Sequence, residues 1–376
     1  MADEILHDFF PMLRVYKNGR LERLMGVDVV PPSLDPATGV QSKDVEIAPE
    51  INLSARIYLP PNADPTKKLP LLVYYHGGGF VIESAFSAQY HKHLNHLAAL
   101  ANVVAVSVNY RLAPEFPLPI AFEDSWRALK WSAEGKDEWI NEFADLSRVY
   151  LGGDSAGANI AHNVAMRVGS EKPDGFNLRG IFLNCPFFGG VDPIGSETTE
   201  VFKAGKELSE KLWRFACPSF RNSDAGWVNP GKDPKISGLG CGKVLVYVAE
   251  KDFLKDRGWY YKEVVSNCGW KGEIECVEVA GEDHVFSVIV SDNEAGIDMI
   301  KKGPFHCHAG WRSGRLLLQP LSCLEEIETT EVKGMAESGM ALRTRGRNLA
   351  WPEVLSWMKR DEEVGDYYYL GVDKSS

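Results

Sequence analysis

Gly153-Asp154-Ser155-Ala156-Gly157 is the stretch on which the reading of this chain turns. Before it lies a short β-type run, Arg148–Leu151. After it, Gly157–Val168 is rich in Ala, Val and Met and reads as a helix. A serine with glycine two residues away on each side, at a strand-to-helix turn, is the pattern of a nucleophile elbow. The tight turn lifts the hydroxyl above the sheet. The next N–H, that of Ala156, sits at a helix start and can face a developing oxyanion. Ser155 is therefore the candidate nucleophile and Ala156 a candidate oxyanion donor.

Working outward, short apolar runs of strand length recur at Leu69–Tyr75, Val103–Val108, Gly180–Leu183, Lys243–Ala249 and Ile274–Val279. Continuous apolar runs suit strands buried on both faces. Helical patterns fall between them: Phe122, Trp126 and Leu129 share a face, and Leu208–Phe215 and Trp259–Ser266 also read as helices. Such alternation implies an α/β fold with a mostly parallel central sheet flanked by helices. The first of these runs ends in His76-Gly77-Gly78-Gly79-Phe80. Glycines directly after a strand let backbone N–H groups approach a carbonyl oxygen closely, so Gly77, Gly78 and Gly79 are candidates for the rest of an oxyanion hole. His76 reads as structural.

A serine hydroxyl needs a base, and the base needs an orienting acid. The chain order that accompanies such an elbow is serine, acid, histidine. Asp252 follows the Lys243–Ala249 strand, where a carboxylate sits at the sheet edge; Asp256, four residues on, is its rival. His284, in Gly281-Glu-Asp-His-Val-Phe after the last strand, is the candidate base. His91, His93 and His96 are spaced i, i+2, i+5, which does not gather three ligands on one helix face. Gly238–Gly242 follows no strand and reads as a turn rather than a nucleotide loop.

The 376 residues are 44% hydrophobic and 25% charged, with a net charge of −11. That balance argues against binding nucleic acid or an anionic membrane surface. No run approaches about 20 consecutive apolar residues, so no membrane span is expected. The first residues lack a secretory pattern, and seven irregularly spaced cysteines with no CxxC suggest free thiols and a cytoplasmic location. The Asn52-Leu53-Ser54 sequon should then be silent. The apparatus needs no metal or cofactor.

Taken together, HGGGF (76–80), NYRLAPE (109–115), FED (122–124), GDSAGANIAHN (153–163), AEKDFLKDRGWYY (249–261) and GEDHVF (281–286) resemble the plant carboxylesterases of the hormone-sensitive-lipase group. VYKNGRLERL and SKDVEI near the N-terminus look like the same family's opening segment. The resemblance covers roughly residues 5–302. It implies an α/β-hydrolase fold, a Ser155–His284–Asp252 triad acting through an acyl-enzyme, and an oxyanion hole around Gly77, Gly78, Gly79 and Ala156. It also implies a lid made from residues 1–45 and a stretch near Asp192–Phe220. Three kinds of relative in this group do other work, and one of them catalyses acyl elimination or cyclisation in specialised metabolism. The gibberellin receptor lacks the catalytic histidine, whereas His284 is present here. The 2-hydroxyisoflavanone dehydratases eliminate water, and some carry threonine at the nucleophile position, whereas Ser155 favours hydrolysis. Residues 303–376 carry no resemblance and are expected to be a poorly ordered, non-catalytic extension; the substrate and oligomeric state are not legible.

Overall fold

The structure is a computed structural model that describes residues 4–289 and 294–301. The expectation about residues 303–376 lies outside the described residues. A three-stranded antiparallel sheet opens the chain: β1 (Ile5–Phe9), β2 (Leu13–Tyr16) and β3 (Leu21–Arg23). The remaining strands are β4 (Gln41–Ala48), β5 (Leu53–Leu59), β6 (Leu69–Tyr75), β7 (Val104–Asn109), β8 (Ala144–Asp154), β9 (Leu178–Asn184), β10 (Lys243–Ala249) and β11 (Glu273–Val279). They form one eight-stranded sheet in the order β11-β10-β9-β8-β6-β7-β5-β4. Pairing from β7 through β6, β8, β9 and β10 to β11 is parallel; β5 and β4 close one edge antiparallel. That edge is absent from the strand reading of the sequence, which passes over residues 41–59.

The helices are α1 (Ala88–Ala101), α2 (Ile120–Ala133), α3 (Glu138–Phe143), α4 (Ala156–Glu171), α5 (Glu200–Ala216), α6 (Lys255–Asn267), α7 (Phe286–Ile289) and α8 (Glu294–Lys301). Alternate residues of β6 explain the layering. Leu71, Val73 and Tyr75 enter one core with α2, α4, α5 and α6, while Leu72 and Tyr74 enter the other with α1, α7 and α8. Both faces are thus buried, which is why the parallel strands read as unbroken apolar runs.

The strand order decides where chemistry can occur. The chain leaves β6 through α1 to β7 on one side, then returns across β6 to β8 on the other. At such a reversal the helices splay apart and leave a crevice outside the carboxyl ends of the strands. The loops that leave β6 and β8 there are His76–Phe80 and the Ser155 turn.

Candidate active site

Ser155 joins β8 to α4 with φ 50° and ψ −117°, a conformation in which a non-glycine residue is strained. Its N–H donates to the Asn184 carbonyl (2.9 Å), and its carbonyl accepts from Phe187 N–H (3.0 Å). The flanking glycines are required by space rather than by their own dihedrals. A Cβ on Gly157 would be driven into the Tyr75 carbonyl oxygen, and one on Gly153 into the Gly157 backbone. The helix start therefore rests directly on the end of β6.

Asp252 and His284 leave the ends of the neighbouring strands β10 and β11, and their loops are zipped together. Lys251 N–H donates to the Glu282 carbonyl (3.0 Å), and Gly281 N–H to the Glu250 carboxylate (2.7 Å). His284 Nδ1 lies 2.8 Å from Asp252 Oδ2, and His284 Nε2 lies 3.1 Å from Ser155 Oγ. Asp252 Oδ1 accepts a further bond from Leu254 N–H (2.9 Å). All three side chains are buried, Ser155 at 8% and His284 at 6% exposure. Burial alone would push the imidazolium down, but the Asp252 carboxylate, with Asp154 and Asp283 behind it, outweighs this and holds the His284 pKa above 6.5.

Asp256, the rival acid, is directed elsewhere. Its carboxylate accepts from the Ser196 N–H (2.7 Å) and from the Ser196 hydroxyl, so it ties the segment before α5 to α6. Next to it, Arg257 pairs with buried Glu197 (2.5 Å) and donates to the Gly189 and Asp192 carbonyls.

The glycine loop divides its labour. Gly77 N–H donates to the Tyr90 hydroxyl (2.7 Å), which in turn donates to Asp154 Oδ2 (2.7 Å), while Tyr74 donates to Asp154 Oδ1 (2.8 Å). Gly77 is thus a fastening point, and its N–H is not offered to a ligand. Among the described residues the N–H groups of Gly78, Gly79 and Ala156 have no hydrogen-bond partner. Gly78 (φ 92°) and Gly79 (φ 61°) hold left-handed conformations that glycine adopts at little cost.

Sequence reasoning missed Asp154, Tyr90 and Tyr74. Asp154 stands in the variable position of the serine motif, yet its buried carboxyl connects the elbow to the glycine loop. Burial raises its pKa and the two tyrosine hydroxyls pull it back, leaving it at about 6. Cys185 was also missed. It is buried, and its Sγ lies within 4.8 Å of the Asp252 and His284 ligand atoms, the one grouping among the described residues compact enough to hold a metal ion. Burial and the adjacent Asp252 carboxylate raise its thiol pKa well above the usual value.

The histidines of α1 do not converge. His91 Nδ1 contacts Arg56 and the Tyr58 hydroxyl, and His93 Nδ1 contacts the Ser287 carbonyl (3.2 Å). His76 is buried and stacked on Tyr110 (4.2 Å, 11°), a packing role as its sequence context suggests.

Two elements lie over this crevice. The face of α5 formed by Gly205, Leu208, Ser209, Leu212, Trp213 and Ala216 is buried. A Cβ on Gly79 would collide with Leu212, so the helix rests on the glycine loop itself. The small N-terminal sheet is tied down by Arg23, which donates to the Val81 and Ala113 carbonyls and pairs with Glu115, and by the Phe9–Phe215 contact (4.8 Å).

Residues 72–288 match the model of a family with the α/β-hydrolase fold. A "Probable carboxylesterase 2" of Arabidopsis thaliana is 46% identical over 296 residues, covering 78% of this chain and 93% of that protein. A "2-hydroxyisoflavanone dehydratase" of Glycyrrhiza echinata is 44% identical over 313 residues, 80% of this chain and 95% of that protein. Among solved structures, the thermostable carboxylesterase EstE1 from a metagenomic library superposes with a TM-score of 0.58 at 28% identity, covering 72% of this chain and 88% of that one. With its sheet order, its serine turn and these likenesses, the chain belongs to the plant carboxylesterase family of α/β-hydrolases.

Proposed function

We propose that the protein is a carboxylesterase that cleaves small to medium carboxylic esters through an acyl-enzyme on Ser155. The observation that carries this reading is the continuous Ser155–His284–Asp252 hydrogen-bond chain at the turn between β8 and α4, beside a glycine loop in which the Gly78 and Gly79 N–H groups have no partner among the described residues. Ser155 Oγ attacks the ester carbonyl as His284 Nε2 takes its proton. Asp252 keeps the other ring nitrogen protonated and stabilises the imidazolium. The N–H groups of Gly78, Gly79 and Ala156 stabilise the oxyanion; Gly77 aligns them through Tyr90. His284 then protonates the leaving alcohol, and water, activated by the same imidazole, releases the acid. Nucleophile, base, acid and oxyanion donors all come from the chain, so the scheme draws on no cofactor.

Within this reading, residues 1–45 and the segment around α5 form the lid, residues 1–302 the hydrolase unit, and residues 303–376 a non-catalytic extension. A cytoplasmic site of action is supported by the five described cysteines being free thiols. Among the described residues no helix is long and apolar enough to cross a membrane.

The test is a fluorophosphonate probe together with p-nitrophenyl butyrate. A single adduct on Ser155, formed in step with loss of hydrolysis, is the expected result. Undiminished turnover with the probe bound elsewhere, or no turnover at all, defeats the proposal. Loss of water from a hydroxyisoflavanone without ester cleavage would favour the eliminating relatives instead.

The pH profile is a second check. His284 works only as the neutral base, and its pKa is raised above 6.5. Activity should therefore be complete above the raised value and decline as pH falls through it, with the acid limb of kcat/KM centred above 6.5 rather than below.

A further inference from the structure

The backbone is strained at both partners of the proton transfer. Ser155 has φ 50°, and Val285, the residue after His284, has φ 48°. A β-branched residue in the left-handed region is an outlier, and such strain persists only where surrounding contacts hold it. The contacts that pin the turn after Val285 to other elements meet at Ser287, in α7. Its carbonyl accepts from His93 Nδ1–H on α1 (3.2 Å), and its hydroxyl accepts from Asn184 Nδ2–H (3.1 Å). Burial pulls the His93 pKa down to about 4, so the ring is neutral near pH 7 and its Nδ1 proton stays on the Ser287 carbonyl.

Asn184 closes β9 and holds both sides of the reaction. Its carbonyl accepts from the Ser155 N–H (2.9 Å), while its side chain reaches Ser287, three residues beyond His284. The turn of the nucleophile and the loop of the base are therefore fastened to the covalent frame of one residue. Asp252 fixes the rotation of the imidazole; the Asn184–Ser287 bond fixes where the loop that carries it stands. Stability does not account for this amide. Asn184 is 1% and Ser287 0% exposed, and Asn184 Oδ1 has no hydrogen-bond partner. A half-satisfied buried amide is worse for stability than an apolar side chain of similar shape.

We infer that Asn184 and Ser287 are positioning residues for the hydrolysis, and that the bond between them sets the 3.1 Å separation of His284 Nε2 and Ser155 Oγ. Both act through the backbone that carries the reacting side chains. The inference rests on the ester-hydrolase reading. Its chemical consequence is selective. A displaced base misaligns two proton transfers, from Ser155 Oγ to Nε2 and then from Nε2 to the leaving oxygen. A p-nitrophenolate departs without a proton, so it feels only the first. The alkoxide of an alkyl ester must be protonated as it leaves, so it feels both.

The test is the Asn184→Leu/Ser287→Ala double variant, assayed for kcat/KM with p-nitrophenyl butyrate and with ethyl butyrate. Replacing both partners of a buried bond by apolar groups costs little stability, so the melting temperature should stay at or near that of wild type. Fluorophosphonate should still label Ser155 to completion, which establishes that the variant is folded. Misplacement of a proton-transfer group by about 1 Å costs about 100-fold, expected here for ethyl butyrate. The loss for p-nitrophenyl butyrate should be about tenfold, so the ratio of the two moves by about tenfold. Wild-type rates in the folded double variant, or equal losses with both esters, overturn the positioning role while leaving ester hydrolysis intact. If the double variant does not label to completion, Ser287→Ala alone decides by the same ratio. Wild type inert to both esters defeats the ester-hydrolase reading, and the positioning role with it.

Discussion

Ser155→Ala is expected to lower kcat for p-nitrophenyl butyrate by on the order of 10⁶-fold, with the melting temperature almost unchanged. Removing the nucleophile of a serine triad costs about as much as removing the whole triad, because the members act as a unit. The residual rate comes from substrate binding and oxyanion stabilisation. Stability should hold because alanine keeps the Cβ and with it the strained backbone at φ 50°. Ser155→Gly separates the two effects. It is equally inactive, but glycine tolerates this conformation, so relief of strain worth roughly 1–3 kcal/mol offsets the added chain entropy. Calorimetry should therefore place Ser155→Gly at or above the wild-type melting temperature. A variant lacking the hydroxyl that still turned over at near wild-type rate would remove Ser155 from the mechanism.

The two neighbouring acids, Asp252 and Asp256, should separate just as sharply. Asp252→Asn is expected to reduce kcat by about 10⁴-fold, since an amide at this position favours the wrong imidazole tautomer and leaves the imidazolium unsupported. The loss should be largest near neutral pH. Asp256→Asn should stay within about tenfold in kcat and act mainly on KM and stability, because Asp256 bonds Ser196 rather than His284. Equal losses in both variants would mean that the acid is shared or misassigned.

Much of the proposed catalytic apparatus was legible because each candidate sits just past a strand end and carries a distinctive residue type. Ser155, His284 and Asp252 could each be reached from local pattern and chain order. The rivalry between Asp252 and Asp256 could not be settled that way. They are four residues apart, and only the loop leaving β10 determines which carboxylate turns towards β11. The glycine loop shows the same limit. His76–Gly79 announces backbone donors, but which N–H is free depends on Tyr90, which α1 brings up from a different part of the chain. The antiparallel edge of β4 and β5 escaped notice because β4 is half-exposed and β5, though buried, is broken by Ser54 and Arg56, so neither shows a continuous apolar run.

By itself the sequence determined the fold class and named the candidate reacting groups, because hydrophobic periodicity and the glycine-flanked serine are local properties. Tertiary structure decided which groups meet, through the order of strands in the sheet. The reversal at β6 opens the crevice, and β10 beside β11 joins Asp252 to His284. Those relations join residues far apart in the chain, and only packing distances can specify them.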